Sequence, residues 1–156
     1  MALHEHHYAI TVSWTGNRGT GTSGYREYGR GHDVTAAGLP TLHGSADPTF
    51  HGDRDRWNPE LLLLTALAQC HMLSYLHVAV NHGIVVTNYR DEAVGVMRLN
   101  ADGSGQFISA TLRPVLTVTD PAHLGLAAAL HEEAAQKCFI ARSVNFPVHH
   151  APTVTA

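Results

Sequence analysis

From Tyr8 to Trp14 the chain reads Tyr-Ala-Ile-Thr-Val-Ser-Trp, an alternation with the period of a half-buried strand. The Gly-, Thr- and Ser-rich segment Gly16 to Gly24 then reads as a turn. Strands are expected next over Tyr25–Tyr28 and Asp33–Ala37, ahead of a polar stretch to Trp57 that holds His43, Gly44, Asp47, Pro48, Gly52 and Asp53. Connections of that length often carry function. Asn58-Pro59-Glu60 opens a helix: Asn caps it, Pro takes the first helical position where its missing N–H costs nothing, and an acid sits near the positive end of the dipole. Asn81-His82-Gly83 stops it. Between the signals lie about 24 residues, or about 36 Å of helix. Leucines 61 to 64, Leu67, Met72, Leu73, Leu76, Val78 and Val80 put apolar side chains on nearly every side. A helix apolar all round is buried all round, and a chain of 156 residues is short for enclosing it, so a second copy is expected to cover part of it.

Beyond the helix, strands are expected over Ile84–Val86 and Ala93–Leu99, either side of Tyr89-Arg90-Asp91. The turn Asp102-Gly103-Ser104-Gly105 leads into a longer strand, Gln106–Val118, in which Pro114 signals a bulge or an edge position. Asp120-Pro121 opens a second helix whose stripe Leu124, Ala128, His131, Ala135, Cys138 steps by four and three and places Cys138 on the buried face. Val144–Val148 and a tail with Pro152 suggest a last edge strand. Hairpin-like strand pairs separated by single helices indicate an α+β fold, and no repeat or linker divides residues 1–156, so one domain is expected.

Composition narrows the function classes. Charged residues are 15% of the chain, well under the roughly 25% of an ordinary domain, in keeping with surface hidden in an oligomer. A net charge of -3, with Lys137 the single lysine, leaves no basic footprint for nucleic acid. Thr65, Gln69, His71, Ser74 and His77 interrupt the stretch Leu61 to Val80, so no membrane span is expected. Met1 to Tyr8 lacks the basic start and apolar core of a signal peptide, which points to a cytoplasmic protein. Gly16 to Gly24 contains Gly-x-x-Gly-x-Gly without the Lys-Ser/Thr and helix of a phosphate cradle. Among thirteen histidines, His6, His7, His149 and His150 fall near the chain ends and read as solvated tails. Cys70, His71, His131 and Cys138 lack every short zinc spacing, so no metal is expected.

The two cysteines are the candidate chemistry. Cys70 lies about three turns into the long helix, beyond the reach of the N-terminal dipole, among apolar neighbours that raise a thiol's pKa. A reactive Cys70 therefore needs a cation from elsewhere, and a buried arginine held by a carboxylate is the natural one. Cys138 ends its helix, where the dipole disfavours a thiolate. The asymmetry suggests that Cys70 attacks and Cys138 resolves.

The run Asn58-Pro59-Glu60-Leu61-Leu62-Leu63-Leu64 through Ala68-Gln69-Cys70-His71-Met72 closely resembles the first-cysteine signature of the OsmC/Ohr family of organic hydroperoxide reductases. His131 to Cys138, followed by Phe139-Ile140-Ala141-Arg142-Ser143-Val144-Asn145-Phe146-Pro147-Val148, resembles its second-cysteine segment, and the strand order is similar too. The resemblance implies two antiparallel-rich sheet segments around a long central helix, in an intertwined homodimer. It further implies a thiol peroxidase without metal, haem, flavin or other cofactor. Cys70 attacks an organic hydroperoxide, leaving an alcohol and a sulfenic acid; Cys138 condenses with it to a disulfide; an external dithiol reduces that. Glu60 matches the family's glutamate, which orients an arginine beside the first cysteine. Arg30, in Tyr28-Gly29-Arg30-Gly31-His32, is the first choice for that arginine, Arg18 the second, and Arg54 or Arg56 the third. Glu60 and Cys70 are about 15 Å and about 80° apart on a straight helix, so a shared arginine requires a bend near Pro59 or a Glu60 from the partner subunit. The alternative from another class is a non-catalytic module that holds a small apolar ligand; a third is a structural metal protein, which predicts stoichiometric zinc.

Overall fold

The long helix is set by its two ends. Asn58 Oδ1 accepts the N–H of Leu61 at 2.8 Å, Pro59 opens the first turn, and Gly83 takes φ 69° just past the last one, where a β-carbon would be strained. Helix α1 therefore runs over Pro59–Asn81, 23 residues. Its buried residues, Leu67, His71, Tyr75, Val78 and Ala79, form one face. All-round burial is not what one chain provides: Leu73 and Val80 are 61% and 73% exposed. By length and apolar content alone α1 is sufficient to cross a membrane, contrary to the sequence expectation. Its buried face nevertheless carries an imidazole and a phenol that are hydrogen-bonded to a second helix, as in a packed protein core.

The computed structural model describes residues 4–156, so the first three residues of the Met1–Tyr8 segment lie outside it. The chain falls into two compact units, residues 1–62 and 63–156. In the first, β1 (Thr11–Trp14), β2 (His32–Thr35) and β3 (Leu42–Gly44) form an antiparallel sheet with β2 in the middle. The strand expected over Tyr25–Tyr28 is a series of turns, because its two tyrosine rings clasp Arg30 instead of alternating across a sheet. Strand β3 was not legible: its apolar content is one leucine, and it is held by pairing with β2 and by His43 Nδ1 against Asp33 Oδ1 at 2.6 Å. Gly16 must lack a side chain, since a β-carbon there would lie 1.9 Å from the Gly29 carbonyl oxygen.

The second unit contains most of α1, β4 (Val86–Asp91), β5 (Val94–Leu99), β6 (Gly105–Leu112), β7 (Pro114–Val118), α2 (Leu124–Lys137), β8 (Val148–His150) and β9 (Thr153–Thr155). One sheet has the order β4-β7-β9, the other β5-β6-β8; β8 and β9 join in parallel and the other pairs are antiparallel. The α+β class holds, with three small sheets in place of two sheet segments. Tyr89-Arg90-Asp91 lies inside β4 and does not separate two strands. The run Gln106–Val118 breaks at Arg113, whose N–H is taken by Asp91 Oδ1 at 2.7 Å. Pro114 begins β7, the middle strand of its sheet, so the edge expectation fails while the first-residue tolerance of proline explains the placement. A 3-10 turn, Ala141–Ser143, leads into the segment expected as the last strand, and the strands proper come later.

Tyr75, Val78 and Ala79 of α1 pack with Ile84, with Leu116 and Val118 of β7, and with Ala127, Leu130 and Ala134 of α2. Leu67 packs separately with Ala110 and Leu112 of β6. Leu116→Ala is expected to destabilise by about 2–5 kcal/mol, while Leu39→Ala, at an exposed site of the first unit, changes stability by less than about 0.5 kcal/mol. Chemical denaturation midpoints check both values.

Candidate functional site

Helix α2 ends on Cys138, which has left helical geometry at φ -76° and ψ 107° and is 1% exposed. The chain then folds back: Arg142 N–H donates to the Cys138 carbonyl at 3.2 Å, and the backbone amides of Ile140 and Ala141 favour the anionic form of the sulfur. From α1 comes Cys70, half-buried, with its thiol close enough to Cys138 to help raise that thiol's pKa. The structure thus brings together two free thiols that are 68 positions apart in the sequence. Burial, followed by the nearby Cys70 sulfur, which favours the protonated form, pushes the Cys138 thiol up to about 11; the two amides pull the other way and lose. Cys138 is therefore protonated at neutral pH, with the Cys70 sulfur beside it.

Arg30, Arg18 and Glu60 belong to the first unit. The Arg30 guanidinium carbon lies 4.0 Å from the Tyr28 ring centre and 4.6 Å from that of Tyr25, and its nitrogens donate to the carbonyls of the same two residues at 2.5 and 2.6 Å. Arg18 donates to the Arg26 carbonyl at 3.3 Å, and the Arg56 head group lies against Gly31. Glu60, in the first turn of α1, has its Oε2 buried with no hydrogen-bond partner among the described residues. A carboxylate oxygen left in that condition is short of a cation or donor.

The sequence reading missed a column of rings. His71 Nε2 and His131 Nδ1 are 2.9 Å apart, the His150 ring centre lies 4.2 Å from that of His71, and Tyr75 stacks on His131 at 4.0 Å. His150 was expected in a solvated tail; the parallel pairing of β8 with β6 carries it inward. His71 and Tyr75 are four apart on one helix face, and His131 lies on the stripe already seen, so part of this was legible. Burial first, then the neighbouring imidazoles, lowers His71 to about 3; burial and His150 lower His131 to about 4. Burial raises the Tyr75 phenol to about 12. Among the described residues, no group of three or more His, Cys, Asp and Glu is arranged to hold a metal ion.

A family model described as OsmC-like protein matches residues 51–152. An OsmC-like protein of unknown function from Vibrio cholerae is 26% identical, with 96% of this chain and all of that one covered and a TM-score of 0.85. An organic hydroperoxide resistance protein OsmC from Legionella pneumophila superimposes over the whole of both chains at 17% identity and a TM-score of 0.68. An organic hydroperoxide resistance protein from Elizabethkingia anophelis does so at 18% identity over 97% and 99%, again with a TM-score of 0.68. No curated protein sequence matches the chain.

The thiol contact predicts that a mild thiol oxidant converts the reduced chain to an intramolecular disulfide, read by intact mass as the loss of two hydrogens, and that Cys138→Ser abolishes it. Alkylation of native protein at pH 8 is expected to leave Cys138 unmodified until denaturant is added, as peptide mapping would show.

Proposed function

The chain belongs to the OsmC-like family, and from that membership together with the paired thiols we propose that it is a cysteine-based peroxidase reducing organic hydroperoxides to alcohols. The observation that carries the reading is the contact between Cys70 and Cys138. The Cys70 thiolate attacks the distal oxygen of ROOH; the O–O bond breaks, RO⁻ takes a proton and leaves as ROH, and Cys70 becomes a sulfenic acid. The Cys138 sulfur then attacks the Cys70 sulfur, hydroxide leaves with the Cys138 proton as water, and a disulfide remains. An external dithiol returns two electrons and two protons. Cys138 must shed its proton in the second step, and the Ile140 and Ala141 amides stabilise the anion that forms.

The cation that favours a Cys70 thiolate is assigned to Arg30, with Arg18 second, oriented by Glu60. Support comes from the unpartnered Glu60 Oε2 and from the spacing of Glu60 and Cys70 along α1. Either a bend near Pro59 or a Glu60 from the partner subunit would meet that spacing, and our reading takes the second, with a homodimer as the working unit. The exposed Leu61, Leu73 and Val80 of α1 and Val94, Val96 and Leu99 of β5 are the apolar surface such a dimer would cover. We place the protein in the cytoplasm, where dithiol reductants are available.

Turnover of cumene hydroperoxide with a dithiol tests the reading. Cys70→Ser is expected to lose about 10³-fold or more of the rate. Cys138→Ser should accumulate a sulfenic acid trappable by dimedone and turn over no further without an added monothiol. Arg30→Met is expected to slow the reaction with peroxide about 10-fold or more at pH 7, as stopped-flow single turnover would show, while Arg54→Met leaves it unchanged. Undiminished peroxidase activity in Cys70→Ser overturns the role given to Cys70, and no activity in the parent protein leaves the ligand-binding alternative. Sedimentation is expected to give a dimer that Leu73→Glu splits.

A further inference from the structure

The proposed peroxide chemistry makes no use of the imidazoles His71, His131 and His150, and they come from three different elements. His71 is supplied by α1, His131 by α2, and His150 by β8, the first strand of the C-terminal segment. His71 Nδ1, His131 Nε2 and His150 Nε2 are all buried without a hydrogen-bond partner among the described residues. The one bond inside the group, His71 Nε2 to His131 Nδ1, needs a proton on one nitrogen and a lone pair on the other, so it exists while one of the two rings at least is neutral. The rings are too close to share positive charge comfortably: 4.2 Å separates the centres of His150 and His71, and 5.3 Å those of His71 and His131.

The groups facing the stack offer little compensation. From α1 and β4 come the phenols Tyr75 and Tyr89, with Asp91 further along β4; from α2 comes Glu132; from β8 comes His149; from the 3-10 turn comes Arg142. Glu132 and Arg142 line with His150 a cavity of about 450 Å³, where their charges oppose. None of the three histidines forms a salt bridge among the described residues. The strands beside them are weakly tied: β8 pairs with β6 through three residues and β9 with β7 through three, both in parallel.

We propose that the His71–His131–His150 stack is an acid-operated latch, which holds the C-terminal segment Val148–Thr155 in place while the imidazoles are neutral and releases it when they take up protons. The sign follows from linkage. The closed form binds its protons below the ordinary histidine value of 6.5, so the open form binds more of them as pH falls from 6.5 toward 3–4, and the latch weakens over that window. At pH 5, His71 and His131 each favour opening by about 30-fold, and together by about 10³-fold.

Amide hydrogen exchange on the full chain at pH 7.5 and 5.0, corrected for intrinsic rates, tests it. Protection of Val148–Thr155 is expected to fall about 10³-fold, while the middle of α1 and the β5–β6 hairpin retain theirs. His71→Phe keeps a ring in the stack but cannot titrate, and should reduce that fall to about 30-fold. Imidazole NMR titration of the parent protein gives the second reading, with His71 and His131 taking up protons over the same pH range in which the segment opens. A fall in protection spread evenly over the chain, an undiminished response in His71→Phe, or imidazoles that charge near pH 6.5 while the segment stays protected would overturn the proposal.

Discussion

The close approach of two thiols, one in the middle of α1 and the other at the end of α2, is the constraint around which the second unit is arranged. Neither cysteine could keep that position by local structure alone. Cys70 is fixed because Leu67 and His71, flanking it on the helix, are packed on the two sides of the interior, and Cys138 is fixed because α2 is anchored through Ala127, Leu130 and Ala134. The turn beyond Cys138 then supplies two backbone amides that favour its anion. Burial keeps that thiol protonated, so whatever chemistry the pair performs must begin at Cys70.

The same interior holds a second set of titratable groups in a different condition. Tyr75 meets its hydrogen-bonding need at the Ala127 carbonyl, 2.8 Å away, whereas the histidine stack leaves a nitrogen open on each ring. A satisfied phenol makes a rigid point in the core; partly satisfied imidazoles make one whose stability depends on protons. The proposed oxidant chemistry of the thiols and the proposed acid response of the imidazoles would thus be carried by side chains that share α1 and α2.

Much of the fold could be read from the chain because its signals are local. The cap Asn58, the Pro59 start and the Gly83 stop located α1 within a residue or so, and the stepping stripe of α2 was right for His131 and Cys138 but not for Ala128, which is exposed while Ala127 is buried. What escaped reading depends on distant partners. Tyr25 and Tyr28 look like a strand until Arg30 is seen between them, β3 exists only because β2 lies alongside, and His150 is internal only because β6 accepts β8. The apolar surround of α1 signalled burial correctly in kind, yet a single chain covers only one face. The cysteine pair was legible as two residues in two family-like segments, while their contact required the fold.

The account is tested most directly by a single turnover. Fully reduced protein is mixed with one equivalent of an alkyl hydroperoxide per chain in the absence of reductant, and free thiols and released alcohol are counted. Loss of both thiols with one equivalent of alcohol, at a rate set by Cys70, is the predicted result. Two thiols still titrating after the peroxide has been given time to react, with no alcohol formed, would contradict it.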